Sequence, residues 1–340
     1  MTNLNIKTKI ISVKKLLKPI LGVVFAIIFI VLIFNKVNFS DVGKASVGVS
    51  WSWLFMALLM FGVGYSLRIQ RWKKMLQVDN PAILWSDCAG PLLASFAMNN
   101  VLPFRLGDIA RAFAFNKKLG VNSGGVLATL LVERLFDLLM VLFFLLVALY
   151  FFQVNTLSIF GVGVIALLVL LVVIVLTLNF PRLFFPIVIY FCNLITKLYP
   201  SVGSALTKFL RNIFLVLDRL SRGEMMMILT FWSFVIWTAE GCVFWFIAIG
   251  LPSISDSSAA WLALPVGTLA TLIPSTPGYV GTFDYFVIQS MHSLGNSLAG
   301  SAAFAFIVHA LLWLPPTITG GLYLAINTVS LKDLKSVNNG

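Results

Sequence analysis

Residues 99–108 read N-N-V-L-P-F-R-L-G-D, and this stretch decides the fold because it interrupts sequence that is otherwise as apolar as a lipid-buried helix. It follows an apolar run, 91–98, that is too short to cross a bilayer. A second such stretch, 274–284, reads P-S-T-P-G-Y-V-G-T-F-D. Non-helical backbone is tolerated at membrane depth only where protein or a water-filled cavity covers it. Broken segments in two halves of a chain are typical of a transport site.

The composition supports this interpretation. The chain has 340 residues, of which 60% are hydrophobic and 11% charged, and its mean hydropathy is +1.00. Soluble domains average about 25% charged residues. The composition therefore predicts an all-α, polytopic helical integral membrane protein. The net charge of +12 then reflects membrane topology and anionic lipid headgroups, and we expect no nucleic-acid partner because no solvated basic domain is present.

The apolar runs predict about six full crossings. The charge pattern places both termini in the cytoplasm of a bacterial-type cytoplasmic (inner) membrane. We divide the chain into a basic N-terminus (1–18), one transmembrane domain (19–330) with a cytoplasmic amphipathic segment (200–222), and a tail (331–340). In the same scheme Arg68, Arg71, Lys73 and Lys74 form a cytoplasmic cluster at the end of the second span. The predicted spans are 20–34, 51–67, 124–152, a return span from about 157 to 180, 225–250 and 299–329.

Three segments leave alternatives open. Residues 82–102 carry basic residues on both sides, which favours a re-entrant hairpin from the cytoplasm over a full crossing. A second re-entrant element enters from outside near Pro277, and the two would form an inverted repeat. Residues 183–199 are apolar but contain Pro186 and Lys197, so they form either a short membrane helix or an interfacial helix.

Five acids fall in or beside predicted membrane segments, where each charge costs several kcal/mol unless it is paired or hydrated. They are Asp108, Glu133, Asp137, Glu240 and Asp284. One interpretation is an internal ion-pair network with Arg105, Arg111 and Arg134 that locks the helices together. The other is that these arginines hold a phosphate, which suits the guanidinium fork. The acids would then position the arginines, gate the path or couple to protons.

The two interruptions, 99–108 (the first break) and 274–284 (the second break), supply further candidate headgroup contacts. Helix ends at prolines leave free amides and carbonyls, and glycines allow close approach or positive φ. The candidates are Asn99, Asn100, Gly107, Pro277, Gly278 and Gly281. We interpret His309 as a hydrogen-bonded bundle residue and not a ligand or base. The three scattered cysteines indicate neither a disulfide framework nor a metal site, and we expect no cofactor.

These motifs, taken together in order, carry a resemblance. The chain resembles the flippase-like transmembrane family of lysylphosphatidylglycerol synthases in four motifs. They are R-I-Q-R-W (68–72), N-N-V-L-P-F-R-L-G-D-I-A-R (99–111), E-R-L-F-D (133–137) and the 274–284 stretch. The resemblance covers roughly residues 15–330. It implies movement of a lipid with a charged or glycosylated phosphate headgroup. The residues that it carries over are Asn99, Pro103, Arg105, Gly107, Asp108, Arg111, Glu133, Arg134, Asp137, Pro277, Gly278, Gly281 and Asp284. The aminoacyl-transferase domain of the synthases is missing, so aminoacylation does not carry over.

We therefore predict a lipid flippase or scramblase that moves a phosphate-containing lipid, either aminoacylated or glycosylated and polyprenyl-linked, between leaflets. Its partners would be membrane lipids and that substrate, with a homodimer as one oligomeric state. The alternatives are a membrane-embedded glycosyl- or acyltransferase acting on a lipid phosphate, and a non-transporting accessory subunit of a lipid-modifying pathway. We find no convincing catalytic constellation, so we do not expect an enzyme.

Overall fold

The computed structural model describes residues 27–33, 35, 37–102, 105–153, 163–273 and 277–327. Within these ranges every regular element is a helix, which confirms the predicted all-α class. Most of the first predicted span, 20–34, lies outside the described residues, as do Pro103, Pro274 and most of the predicted turn at 153–156.

The α-helices are named in chain order. They are α1 (Phe39–Ala45), α2 (Trp51–Leu76), α3 (Trp85–Val101), α4 (Leu106–Phe113), α5 (Asn116–Leu119), α6 (Ser123–Phe152), α7 (Val164–Asn179), α8 (Pro181–Leu198), α9 (Pro200–Leu220), α10 (Glu224–Gly250), α11 (Ala260–Ala270), α12 (Thr282–Ser293) and α13 (Leu298–Ile326). Two short 3-10 turns, Ser257–Ala259 and Pro277–Tyr279, precede α11 and α12.

Five of these helices are long and apolar enough to cross a membrane: α2, α6, α8, α10 and α13. The chain is thus a multi-pass helical membrane protein, as predicted. Four of the five match predicted spans, and α8 is the segment whose place was left open. Of the predicted return span, about 157–180, the described residues form α7, which has 16 residues. Such a helix rises about 24 Å, somewhat less than a hydrocarbon core of about 30 Å.

The re-entrant hairpin favoured for residues 82–102 is wrong, because most of this segment is a single helix. Helix α3 runs unbroken through Pro91, so residues 82–102 are not themselves a hairpin. Pro91 lies early in α3, where its missing N–H forfeits only one intrahelical bond. Helix α4 contacts α3, since Ser95 Oγ donates to Asp108 Oδ1 at 3.1 Å.

The chain divides into two compact units. The first comprises Met1–Leu59, Asn99–Arg105 and Gly241–Pro315, and the second comprises Met60–Met98, Leu106–Glu240 and Pro316–Gly340. In the first unit Phe244 packs edge-on against Phe283 and Phe304. In the second, a buried core surrounds Trp72, and α9 packs on both α8 and α6. The predicted domain boundaries and inverted repeat stay predictions.

A three-residue clasp holds the α8–α9 hairpin in the second unit. Asp218 on α9 accepts hydrogen bonds from Arg182 Nε at 2.7 Å and Arg222 Nη2 at 2.6 Å. These bonds, from Arg182 first and then Arg222, lower the pKa of Asp218 from 3.8 to about 2. Helix α9 falls within the predicted amphipathic segment, 200–222.

We predict that acid loosens this clasp locally without unfolding the unit, because exposed ion pairs contribute little to global stability. Because the pKa of Asp218 is lower in the folded state, its carboxylate stabilises the clasp above the ordinary pKa of 3.8, and this contribution is lost as the pH falls toward 2. Hydrogen exchange of residues 181–220 between pH 5 and pH 2 should accelerate beyond the intrinsic rate change. The Asp218→Asn variant should show fast exchange throughout and no such step; a step retained in this variant would contradict the assignment.

Candidate functional site

A buried ion-pair network occupies the second unit. Four helices contribute four arginines and four carboxylates, so the formal charges of these eight side chains balance. The members are Arg68 and Arg71 from α2, Asp108 and Arg111 from α4, Glu133, Arg134 and Asp137 from α6, and Glu240 from α10. Charges this deep in apolar helices must be paired, and here each arginine meets at least one carboxylate.

Asp137 lies at the centre of the network. Its Oδ1 accepts from Arg71 Nη2 at 2.8 Å and from the Trp237 indole at 3.3 Å. Arg68 Nη1 lies 3.9 Å from the same oxygen, and Arg134 Nη1 lies 3.4 Å from Oδ2. One carboxylate therefore holds three guanidiniums, on α2 and α6, in place.

Arg111 is the most deeply buried cation, with a fully inaccessible side chain. Its Nη2 donates to Glu133 Oε2 at 3.3 Å, and its guanidinium lies 4.6 Å from the centre of the Trp72 ring, a cation–π distance. Among the described residues, Nε and Nη1 of Arg111 have no hydrogen-bond partner. Arg134 is more accessible, with 32% of its side chain exposed and Asp108 Oδ2 3.8 Å away.

The two breaks meet in the first unit. Arg105 Nε donates to the Tyr279 hydroxyl at 3.1 Å, and the guanidinium lies 5.9 Å from the centre of that ring. Both residues adopt the left-handed backbone region, with φ of 53° and 61°. This region costs a non-glycine residue about 1–2 kcal/mol. Such strain persists where the surrounding structure enforces it, most often at functional sites.

The last helix, α13, holds both breaks through one face. Trp313 Nε1 donates to the Asn100 carbonyl at 3.3 Å, and Asn100 Nδ2 donates to the Trp313 carbonyl at 3.2 Å. One turn earlier, His309 contacts Asp284 and Gly278, at 2.7 Å through Nδ1 and 2.8 Å through Nε2. Positions i and i+4 share a helix face, so the pair clamps the first break and the second side by side.

Glycine is required at the second break. Gly278 has φ of 72°, and a Cβ there would lie 2.8 Å from Trp313 Nε1. Gly281 has φ of 87°, and its N–H donates to Asp284 Oδ2 at 2.9 Å. Asp284 therefore links the start of α12 to His309 through its two oxygens.

Comparison with known proteins identifies the family. Residues 20–320 match the family described as the lysylphosphatidylglycerol synthase TM region. The chain belongs to this family. A UPF0104 membrane protein of Pyrococcus horikoshii is 21% identical over 290 residues, which cover 81% of this chain and 87% of that protein. The resemblance seen in the motifs is confirmed, and membership of this family of membrane domains points to a role connected with membrane lipids.

Within this lysylphosphatidylglycerol synthase-type membrane domain, the structure sorts the predicted site residues into two groups. The network collects Asp108, Arg111, Glu133, Arg134, Asp137 and Glu240. The break site collects Asn100, Arg105, Gly278, Gly281 and Asp284. Of the rest, Asn99 lies near the end of α3, Gly107 is buried beside Asp108, and Pro277 is an exposed residue at the start of its 3-10 turn.

Two network arginines were missed. Arg68 and Arg71 were predicted only as part of a cytoplasmic cluster with Lys73 and Lys74, and that placement stays a prediction. The structure shows that the Arg71 side chain is 1% exposed and that Arg68 pairs with Glu240 at 3.0 Å. Helix α2 extends nine residues beyond the predicted end at 67, which carries both arginines into the packed unit. Their spacing of three, which places them on one helix face, was the available signal.

Proposed function

We propose that this protein moves a lipid with a phosphate-containing headgroup between membrane leaflets, and that Arg105 binds the phosphate. One observation carries the proposal. Each of the four network arginines meets a carboxylate, whereas Arg105 pairs with none of the carboxylates in the described part of the chain. An arginine without a carboxylate partner, in a membrane protein of a lipid-related family, has its charge available to an anionic headgroup.

The geometry of Arg105 suits a phosphate. Tyr279 engages Nε and the face of the guanidinium, and no hydrogen bond joins either η nitrogen to the residues that the structure describes. The two η nitrogens can then donate in parallel to two phosphate oxygens, the bidentate arrangement that favours arginine over lysine. Holding the guanidinium in advance lowers the entropic cost of binding.

Aminoacylated lipids and polyprenyl-linked sugars share this phosphate chemistry, so both suit the proposed site. The acyl or prenyl tails would stay in the bilayer. The network then has a supporting role: its charges balance, so it locks α2, α4, α6 and α10 together. Of its members, Arg134 is the most accessible arginine, with 32% of its side chain exposed.

We predict that Arg105→Ala slows lipid exchange strongly. A charge-assisted hydrogen bond contributes about 1.5–3 kcal/mol, so its loss should lower the rate about ten- to a hundredfold. The exchange rate of Arg105→Lys should lie between those of Arg105→Ala and wild type, because lysine supplies the positive charge without the two parallel N–H donors of a guanidinium. The measurement is leaflet exchange of a fluorescent phospholipid in proteoliposomes, read by chemical bleaching of the outer leaflet.

The matched control is Arg222→Ala, which removes an exposed arginine of the α8–α9 clasp. Its exchange rate should equal that of wild type. Size-exclusion profiles in detergent would show that every variant is folded. A wild-type rate in folded Arg105→Ala would rule out the phosphate role of this residue.

The transferase alternative is weaker on geometric grounds. A general base must lie within hydrogen-bond reach of the proton that it abstracts, and in this structure both ring nitrogens of His309 are instead engaged, by Asp284 and by the Gly278 carbonyl. Turnover of a labelled sugar or acyl donor by the pure protein would favour this alternative. Purified wild-type protein that exchanges no lipid would favour the accessory subunit.

A further inference from the structure

His309 on α13 has an acceptor at each ring nitrogen. Nδ1 lies 2.7 Å from Asp284 Oδ1, and Nε2 lies 2.8 Å from the Gly278 carbonyl oxygen. Both of these oxygens are hydrogen-bond acceptors that require a donor. The other oxygen of Asp284, Oδ2, already accepts from the Gly281 N–H. The packing around the ring is close, with Phe283 edge-on at 5.1 Å between ring centres.

A neutral imidazole has one N–H and one lone pair, whereas the protonated ring has two N–H groups. With a neutral ring beside an ionised Asp284, one of the two contacts would set a nitrogen lone pair against an oxygen lone pair. The protonated ring satisfies both acceptors, and its charge is compensated by Asp284, whose side chain is 4% exposed. The hydrogen-bond pattern, taken alone, therefore requires a bound proton.

This proton is connected to the proposed phosphate-binding residue by a short chain of contacts. Nε2–H of His309 holds the carbonyl of Gly278. The next residue is Tyr279, which is strained at φ 61° and accepts from Arg105 Nε. The charged or titratable groups of this unit around the histidine are thus Asp284, in direct contact, and the Tyr279–Arg105 pair beyond Gly278.

We propose that His309 is a proton-binding site and that release and uptake of its proton are coupled to lipid movement. The second half rests on the proposed function. When the proton leaves to water, Nε2 no longer donates to the Gly278 carbonyl. The strained backbone at Tyr279 is then free to relax, and the Tyr279 hydroxyl is released from Arg105. Reprotonation restores the hydrogen bond from Nε2 to the Gly278 carbonyl. The protonation state of His309 therefore determines whether Tyr279 holds Arg105 in position to bind a phosphate.

The bound proton is tested directly by nitrogen NMR. The chain contains two histidines, so 15N-histidine labelling of the whole protein gives two ring systems, and His292→Gln identifies the signals of His309. At pH 7 we expect both ring nitrogens of His309 to carry the shifts of N–H groups. One protonated and one bare nitrogen at pH 7 would overturn the proton site, whatever the protein transports.

The coupling is tested in proteoliposomes that carry a fluorescent phospholipid outside and a pH dye inside. With wild type, an imposed pH gradient should change the exchange rate at least threefold, and lipid movement should change the internal pH. His309→Gln keeps a polar side chain that does not titrate, so both effects should disappear. His292→Gln, which alters the histidine outside this site, should retain them.

The outcomes separate the two proposals. Lipid exchange by wild type without any gradient dependence would overturn the coupling and leave the proposed transport standing. Gradient dependence that persists in His309→Gln would place the coupling proton elsewhere and overturn the role of His309. Absence of lipid exchange in wild type would remove the proposed function and the coupling together, while the NMR result would still decide the proton site.

Discussion

Gly320→Ala is expected to destabilise the second unit. An added Cβ would lie 2.1 Å from the Leu93 carbonyl oxygen and 2.7 Å from the Ala97 Cβ. Both obstacles belong to α3, and the nearer is backbone, so relief requires α13 and α3 to move apart. Overpacking of this kind costs about 1–3 kcal/mol. The thermal unfolding midpoint in detergent, followed by tryptophan fluorescence, should fall accordingly.

The neighbouring glycine is a matched control. A Cβ at Gly321 would meet nothing within 4 Å, and alanine is favoured over glycine inside a helix by about 0.5–1 kcal/mol. Gly321→Ala should therefore leave the midpoint unchanged or raise it slightly. Equal midpoints for the two variants would mean that α3 and α13 do not approach as closely as described.

Asp137→Ala should have the largest effect on folding stability. Removing one partner of a buried ion pair costs about 3–5 kcal/mol, because the other charge is left without compensation. Here the change leaves the Arg71 guanidinium, whose side chain is 1% exposed, without its carboxylate partner. It also removes a carboxylate that Arg68 and Arg134 face. We expect poor yield and a markedly lower unfolding midpoint in detergent.

Asp218→Ala supplies the comparison. Asp218 also pairs with two arginines, but those side chains are 75% and 66% exposed, and exposed ion pairs contribute little. The thermal unfolding midpoint of Asp218→Ala should therefore stay close to that of wild type. The double variant Arg71→Leu/Asp137→Leu should recover much of the loss, since apolar replacement of a whole buried pair is often tolerated. An Asp137→Ala midpoint equal to that of Asp218→Ala would show that the network is hydrated and not buried.

The sequence predicted the long helices well because their signal is local. Apolar runs and flanking charges located α6, α10 and α13 to within a few residues. The failures came at helix ends and at proline. Helix α2 continues past Arg68 because its arginines find carboxylates elsewhere in the chain, and α3 continues through Pro91. Neither outcome is visible without the tertiary partners that satisfy the charge or compensate for the lost hydrogen bond.

The candidate site was predicted as a set of residue types but not as pairs. The acids and two of the four network arginines, Arg111 and Arg134, were identified because charge in apolar sequence is costly. Which acid meets which arginine depends on packing: Arg68 and Glu240 are 172 residues apart. His309 was interpreted as a hydrogen-bonded bundle residue, yet its partner Asp284 lies 25 residues away and could not be identified from spacing. The contact of Arg105 with Tyr279 likewise required the two breaks to be brought together.

The charge-balanced network has a consequence for how the chain is made. During synthesis α6 enters the membrane carrying Glu133, Arg134 and Asp137, and each charge at mid-helix opposes insertion by about 2.5–3.5 kcal/mol. Arg71 has already been translated by then, so the counter-ion of Asp137 is present in the chain when α6 enters the membrane. Glu240, the carboxylate that pairs with Arg68 at 3.0 Å, is translated only with α10. The nascent helices therefore enter the bilayer as a group whose neutrality is completed only when α10 arrives.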